Sequence, residues 1–220
     1  MVLRFSTVPG DLLDETVSTP RGLALKLLGV PGERADGAEG ATTQDFVLVN
    51  GPVFGAPDAK HFLKMLTLLA TTTDKVEPLK KAVSAVARGS EKVIEAFGGK
   101  SGAVIAHFAQ HGGEWELRVQ LCTDLASMPV KDASVEWPQA QSPYVSVARI
   151  RVPAQLAWST QRTLAIDDGM AFNPWHALAA HRPLGSIMRA RKVAYAAMAK
   201  LRAQQNRQPI SEPVALPALA

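Results

Sequence analysis

Apolar and polar residues along the chain follow two periods. Leu3-Arg-Phe-Ser-Thr-Val8 alternates and stops at Pro9-Gly10, so it reads as a strand. Gly22-Leu-Ala-Leu-Lys-Leu-Leu28, closed by Gly29, and Asp45-Phe-Val-Leu-Val49, closed by Asn50-Gly51-Pro52, predict two more. Over 58–70 and 78–97 the apolar positions recur every three or four residues. Pro78 opens the second segment and Gly98-Gly99 follows its end, which predicts two helices. Trp115, Leu117, Val119 and Leu121 alternate with Glu116, Arg118 and Gln120, the period of a half-buried strand, and 144–152 is its expected partner. Residues 160–186, with Asn173-Pro174 and Arg182-Pro183, read as irregular. Ser186 predicts the cap of a helix over 187–205, and the Pro-rich stretch from Pro209 reads as loose. The set predicts an α+β domain over 1–207 and a flexible tail over 208–220.

Composition narrows the function classes. With 220 residues, 47% of them apolar and 20% charged, a disordered or low-complexity protein is excluded and one sizeable core is expected. A single cysteine, Cys122, allows no internal disulfide and no multi-cysteine metal site, which points to a reducing compartment and a cytoplasmic protein. No apolar run reaches the ~18 residues of a membrane span, and Met1-Val-Leu-Arg-Phe5 carries no signal-peptide core. The net charge of +4 comes from 24 basic residues interspersed among 20 acidic ones, which does not suggest nucleic acid. Only 182–207 is one-sided: Arg182, Arg189, Arg191, Lys192, Lys200, Arg202 and Arg207 meet no acid there. The sequence has no internal repeat, no Walker or Rossmann glycine loop and no Cys/His metal spacing.

Chemistry concentrates on the last helix. Met188, Arg191, Tyr195, Met198 and Arg202 are spaced by three and four residues and share a face. That pattern fits an amphipathic helix with snorkelling arginines, the commoner case. It also fits a phenol one turn from a guanidinium whose donated hydrogen bond favours the anionic oxygen, a hard ligand for ferric iron. Tyr144, the other tyrosine, has no arginine four residues away.

Arg191-x-x-x-Tyr195 with Arg202 seven residues on resembles the proximal signature of the heme catalase superfamily. Arg4-Phe-Ser-Thr-Val8, followed by Thr16-Val17 and Pro20-Arg-Gly22, is similar to a block of the same family, and so are 45–54, Trp115 to Pro138 and Ala171-Phe-Asn-Pro174. The segment from Phe172 to Arg191 resembles small catalase-related and allene-oxide-synthase-like heme proteins in particular. The resemblance implies an antiparallel β-barrel, short of some strands because 98–113 is brief, with flanking helices and a C-terminal proximal heme helix. It implies heme b bound through Tyr195, with Arg4, Arg191 and Arg202 as further cofactor-binding residues and Asn50 as the catalytic asparagine, a one-residue shift from the ungapped match at Val49. It implies peroxidase or catalase chemistry on hydrogen peroxide or an organic hydroperoxide, with homo-oligomers open. The alternative is a truncated, heme-binding relative with little turnover, or one that processes fatty-acid hydroperoxides.

The family's distal histidine precedes the Arg-Phe-Ser-Thr-Val block, and only Met1-Val-Leu3 precedes Arg4, so none is expected in this sequence; Ser6 would have oriented it. His61, His107 and His111 are the candidates to replace it, and each reads more simply as a surface or hydrogen-bonded histidine. His176 and His181 read as local backbone partners, Phe54 and Trp175 as core, and Cys122 has no assigned role.

Overall fold

The computed structural model describes residues 1–7, 21–72 and 101–217. Strands β1 (Val2–Thr7), β2 (Arg21–Leu27) and β3 (Gln44–Val49) form an antiparallel sheet in that order. A second antiparallel pair joins β4 (Gly113–Val119) to β5 (Val145–Val152), with an irregularity at Leu117/Arg118. All five lie where the sequence places them, although β4 ends two residues before Leu121. Among the described residues the two sheets do not close into a ring. The helix expected over 78–97 lies outside the described residues.

Helix α1 (Ala59–Thr72) starts at Asp58, whose carboxylate accepts from the His61 backbone N–H at 2.9 Å, an N-cap bond. Helix α2 (Ser101–Gln110) stands where the sequence reads as a bare connection. Its buried contact is Phe108, whose ring lies 6.2 Å from that of Trp115 on β4 and 6.4 Å from that of Phe5 on β1. Residues 160–186 are less irregular than they read: a turn Thr160–Arg162, capped by Ser159, runs into a π-helix Thr163–Asp168, and a 3-10 turn spans Ala179–His181.

Helix α3 (Gly185–Asn206) begins two residues earlier than Ser186 predicts. Leu184 occupies the cap position without a side-chain bond, and the Ser186 hydroxyl instead accepts from the Ala59 N–H, tying α3 to the start of α1. Within the described part of the C-terminal stretch, residues 211–213 bond back to the body. Ser211 N–H donates to the Gly169 carbonyl at 3.0 Å, the Thr42 hydroxyl donates to the Pro213 carbonyl, and Glu212 reaches Thr42 and Thr43. No described helix is long and apolar enough to cross a membrane.

Register assigns the faces of the first sheet. Val2, Lys26 and Asp45 form one cross-strand row, Arg4, Ala24 and Val47 the next, and Ser6, Gly22 and Val49 the third, all on the same side because side chains alternate. Val2 and Ala24 pack with Met170 and Phe172 under the loop that follows the π-helix, with Val47 and Ile166 beside them. That end is sealed. Ser6 and Val49 at the other end are exposed, and a Cβ on Gly22 would stand 2.5 Å from the Ser6 hydroxyl, which would have to rotate away.

Candidate functional site

Helix α3 turns its half-buried positions, Met188, Arg191, Tyr195, Ala199 and Arg202, toward the protein body. Met198, expected on that face, is instead 60% exposed. One turn of helix separates Arg191 from Tyr195, and the guanidinium donates to the phenol oxygen at 2.7 Å while lying 5.0 Å from the ring centroid. Its other terminal nitrogen touches the Met188 sulfur at 3.6 Å, so the arginine is held from both sides.

Arg202 donates one terminal N–H to the Met170 carbonyl, and Arg4 lies over the Phe172 ring at 4.8 Å and 3.7 Å from Asp167. Burial lowers the pKa of the Arg4 guanidinium; Asp167 opposes this, Arg202 adds to it and Tyr195 opposes it. Three residues singled out from sequence, Arg4, Tyr195 and Arg202, therefore share one electrostatic environment. The Nε atoms of both Arg4 and Arg202 are buried without a hydrogen-bond partner. Each of these two guanidinium groups therefore keeps one N–H donor without an acceptor.

Asn50 is not brought into that group. Its Oδ1 accepts from the Arg21 N–H at 2.7 Å, and its own N–H donates to the Arg21 carbonyl, closing the end of the β2–β3 ladder. His61 is exposed and paired with Asp58 at 2.8 Å, while His107 and His111 are exposed neighbours 5.3 Å apart at the end of α2. Trp175 stacks under the Lys192 ammonium at 4.9 Å, Phe54 meets Phe62 edge-on at 5.0 Å, and His181 lies exposed in its turn. Cys122 is exposed in the loop after β4, its thiol directed at the Met128 carbonyl. Among the described residues no three His, Cys, Asp or Glu side chains converge on a position that could hold a bare metal ion.

Sequence reasoning missed the buried polar cluster beside this site. Lys26 and Asp45 have no exposed side-chain surface and pair at 2.8 Å on both carboxylate oxygens. Burial raises the Asp45 pKa; Lys26 and the Asn173 N–H oppose it. His176 Nδ1 stands 3.4 Å from Glu212 and 3.6 Å from Asp45; burial lowers its pKa, against the pull of Glu212 and Asp45 and with Lys26 and Arg34 adding to the drop. A lysine inside the apolar run Leu23-Ala-Leu-Lys-Leu27, with an aspartate opening the next strand, was the available signal. Between this cluster and α3 lies a cleft of about 340 Å³ bordered by Ala38, Asn173, His176, Tyr195, Ala199 and Glu212.

No family model matches the chain, and no curated protein sequence matches it significantly. Among solved structures it is similar to a fungal catalase, with a TM-score of 0.58 and 16% identity over 93% of this chain and 52% of that one. The fold is catalase-like. The chain spans about half the length of that catalase. The α+β arrangement of antiparallel sheets with flanking helices agrees with this likeness.

Proposed function

We propose that this chain is a catalase-like heme protein whose iron is ligated by the Tyr195 phenolate and which acts on hydrogen peroxide or an organic hydroperoxide. The observation that carries the reading is the convergence of Arg191 on the Tyr195 oxygen at 2.7 Å, on a helix whose next inward arginine, Arg202, keeps a buried N–H without an acceptor. The donor set fits heme. An oxygen anion serves as a hard iron ligand, and the unpaired donors of Arg4 and Arg202 suit the two carboxylates that heme b carries. The two sheets are, on this reading, arcs of one barrel.

Bound there, heme would supply the redox chemistry on the peroxide oxygen–oxygen bond. The chain's own residues would do the rest. Arg191 donates to the Tyr195 oxygen and fixes where that oxygen points. Arg4 and Arg202 orient the group through its carboxylates, and Asp167 and Phe172 hold Arg4 in place for that task.

The test is to titrate the purified chain with hemin, follow the Soret band, and then add hydrogen peroxide or a fatty-acid hydroperoxide. Saturation at one hemin per chain, with hydroperoxide consumed faster than by free hemin, is expected. Uptake no tighter than to an unrelated protein would contradict the reading.

A further inference from the structure

We infer that Glu212, in the C-terminal segment, is a positioning residue for the Arg4, Arg202 and Tyr195 site. It acts through buried hydrogen bonds that pass along Thr43, Lys26 and Asp45 to the backbone of Asn173. The inference rests on the reading of that site given above.

Each link is directional. Glu212 Oε1 accepts from the Thr43 hydroxyl at 2.7 Å and from the Thr42 and Thr43 amides at 3.0 and 3.1 Å. The Thr43 oxygen in turn accepts from Lys26 Nζ at 3.1 Å. An ammonium has three donors, and the other two go to the two Asp45 oxygens at 2.8 Å each, so Lys26 is fully satisfied. Asp45 Oδ2 then accepts from the Asn173 N–H at 2.8 Å. Lys26 and Thr43 have no exposed surface and Asp45 has 3%, so water cannot replace a lost partner.

What the relay holds is the loop that carries the partners of both arginines. Met170 gives its carbonyl to Arg202 and Phe172 lies under Arg4. The C-terminal segment grips this loop at both ends. Ser211 N–H binds the Gly169 carbonyl directly, and Glu212 fixes the Asn173 amide through the relay. Lys26 and Asp45 also stand one cross-strand row from Arg4 on the same sheet face. A buried ion pair contributes little net stability compared with apolar packing of the same volume, but it fixes one geometry because every bond has a direction.

Glu212→Ala, Glu212→Gln and Thr43→Val test this by two readouts, amide exchange in the hemin-free protein and hemin titration. Thr43→Val breaks the relay yet leaves Glu212 its two backbone donors, and Glu212→Gln keeps an acceptor oxygen. Exchange over residues 169–178 should quicken by roughly tenfold in Glu212→Ala and Thr43→Val, with β4 and β5 unaltered, and hemin affinity should fall by roughly tenfold. Glu212→Gln should restore most of both. Uniformly faster exchange, an unchanged loop, or a loosened loop with unchanged hemin affinity and spectrum would each overturn the inference while leaving the site reading intact. A wild-type chain that takes up no hemin overturns the site reading and the inference with it.

Discussion

Arg4 and Arg202, both half-buried, each keep one buried N–H without an acceptor, which makes a quantitative expectation. If Arg4 and Arg202 bind the carboxylates of heme, hemin dimethyl ester should bind wild type more weakly than hemin by roughly tenfold or more, since hydrogen bonds to charged groups are the strong ones. The preference should shrink in Arg4→Ala and in Arg202→Ala, as competitive titration would measure; equal affinities for the two porphyrins in wild type would exclude carboxylate recognition. Arg191→Leu should loosen hemin roughly tenfold or more because Tyr195 loses its 2.7 Å donor. His176 supplies a pH expectation. Its folded-state pKa is held below the ordinary value by burial, so the unfolded chain takes up its proton first as pH falls. Stability should therefore be complete above the unfolded value near 6.5 and decline as pH drops from there through the lowered folded value. The facing groups Asp45, Glu212, Lys26 and Arg34 are already counted in that direction. Urea unfolding from pH 7 to pH 5 should show a smaller loss in His176→Gln than in wild type, and parallel losses would remove His176 as the cause.

The elements differ in how plainly the sequence announces them. Period-2 alternation announces β1 and β4, apolar runs closed by Gly and Pro announce β2 and β3, and β5 follows as the partner of β4. Tyr195, Arg191 and Arg202 were legible because three- and four-residue spacing is itself the geometry of a helix face. Helix α2 was not, since Gly98-Gly99, Gly102 and Gly112-Gly113 make its surroundings look like a linker while Phe108 is secured by ring contacts with Phe5 and Trp115 far away in sequence. The anchoring of the tail was equally hidden, because the bonds of Glu212 to Thr42 and Thr43 span about 170 residues and no local pattern encodes them. Helix α1 gives the element-scale test. Removing the Asp58 cap as Asp58→Ala should lower the thermal midpoint with unchanged hemin binding. An unaltered midpoint would mean that the cap bond adds nothing beyond water.

At the scale of the whole molecule, likeness to a catalase over half of that protein's length gives a fold. Among the described residues His61, His107 and His111 are exposed and engaged elsewhere, with none in contact with Arg4 or Tyr195. The hemin-loaded 220-residue chain should therefore evolve oxygen from hydrogen peroxide slowly, because a positioned acid–base group is worth roughly 10²- to 10⁴-fold. Brisk evolution, abolished by His61→Ala, His107→Ala or His111→Ala without loss of heme, would instead identify one of them as the working base. The central claim, that Tyr195 is the iron ligand, is tested most directly by the ferric absorption spectrum of the hemin complex in wild type and in Tyr195→Phe. The phenolate-to-iron charge-transfer bands should be present in the first and absent in the second, with a large loss of affinity. An identical spectrum and affinity for the two proteins would contradict it.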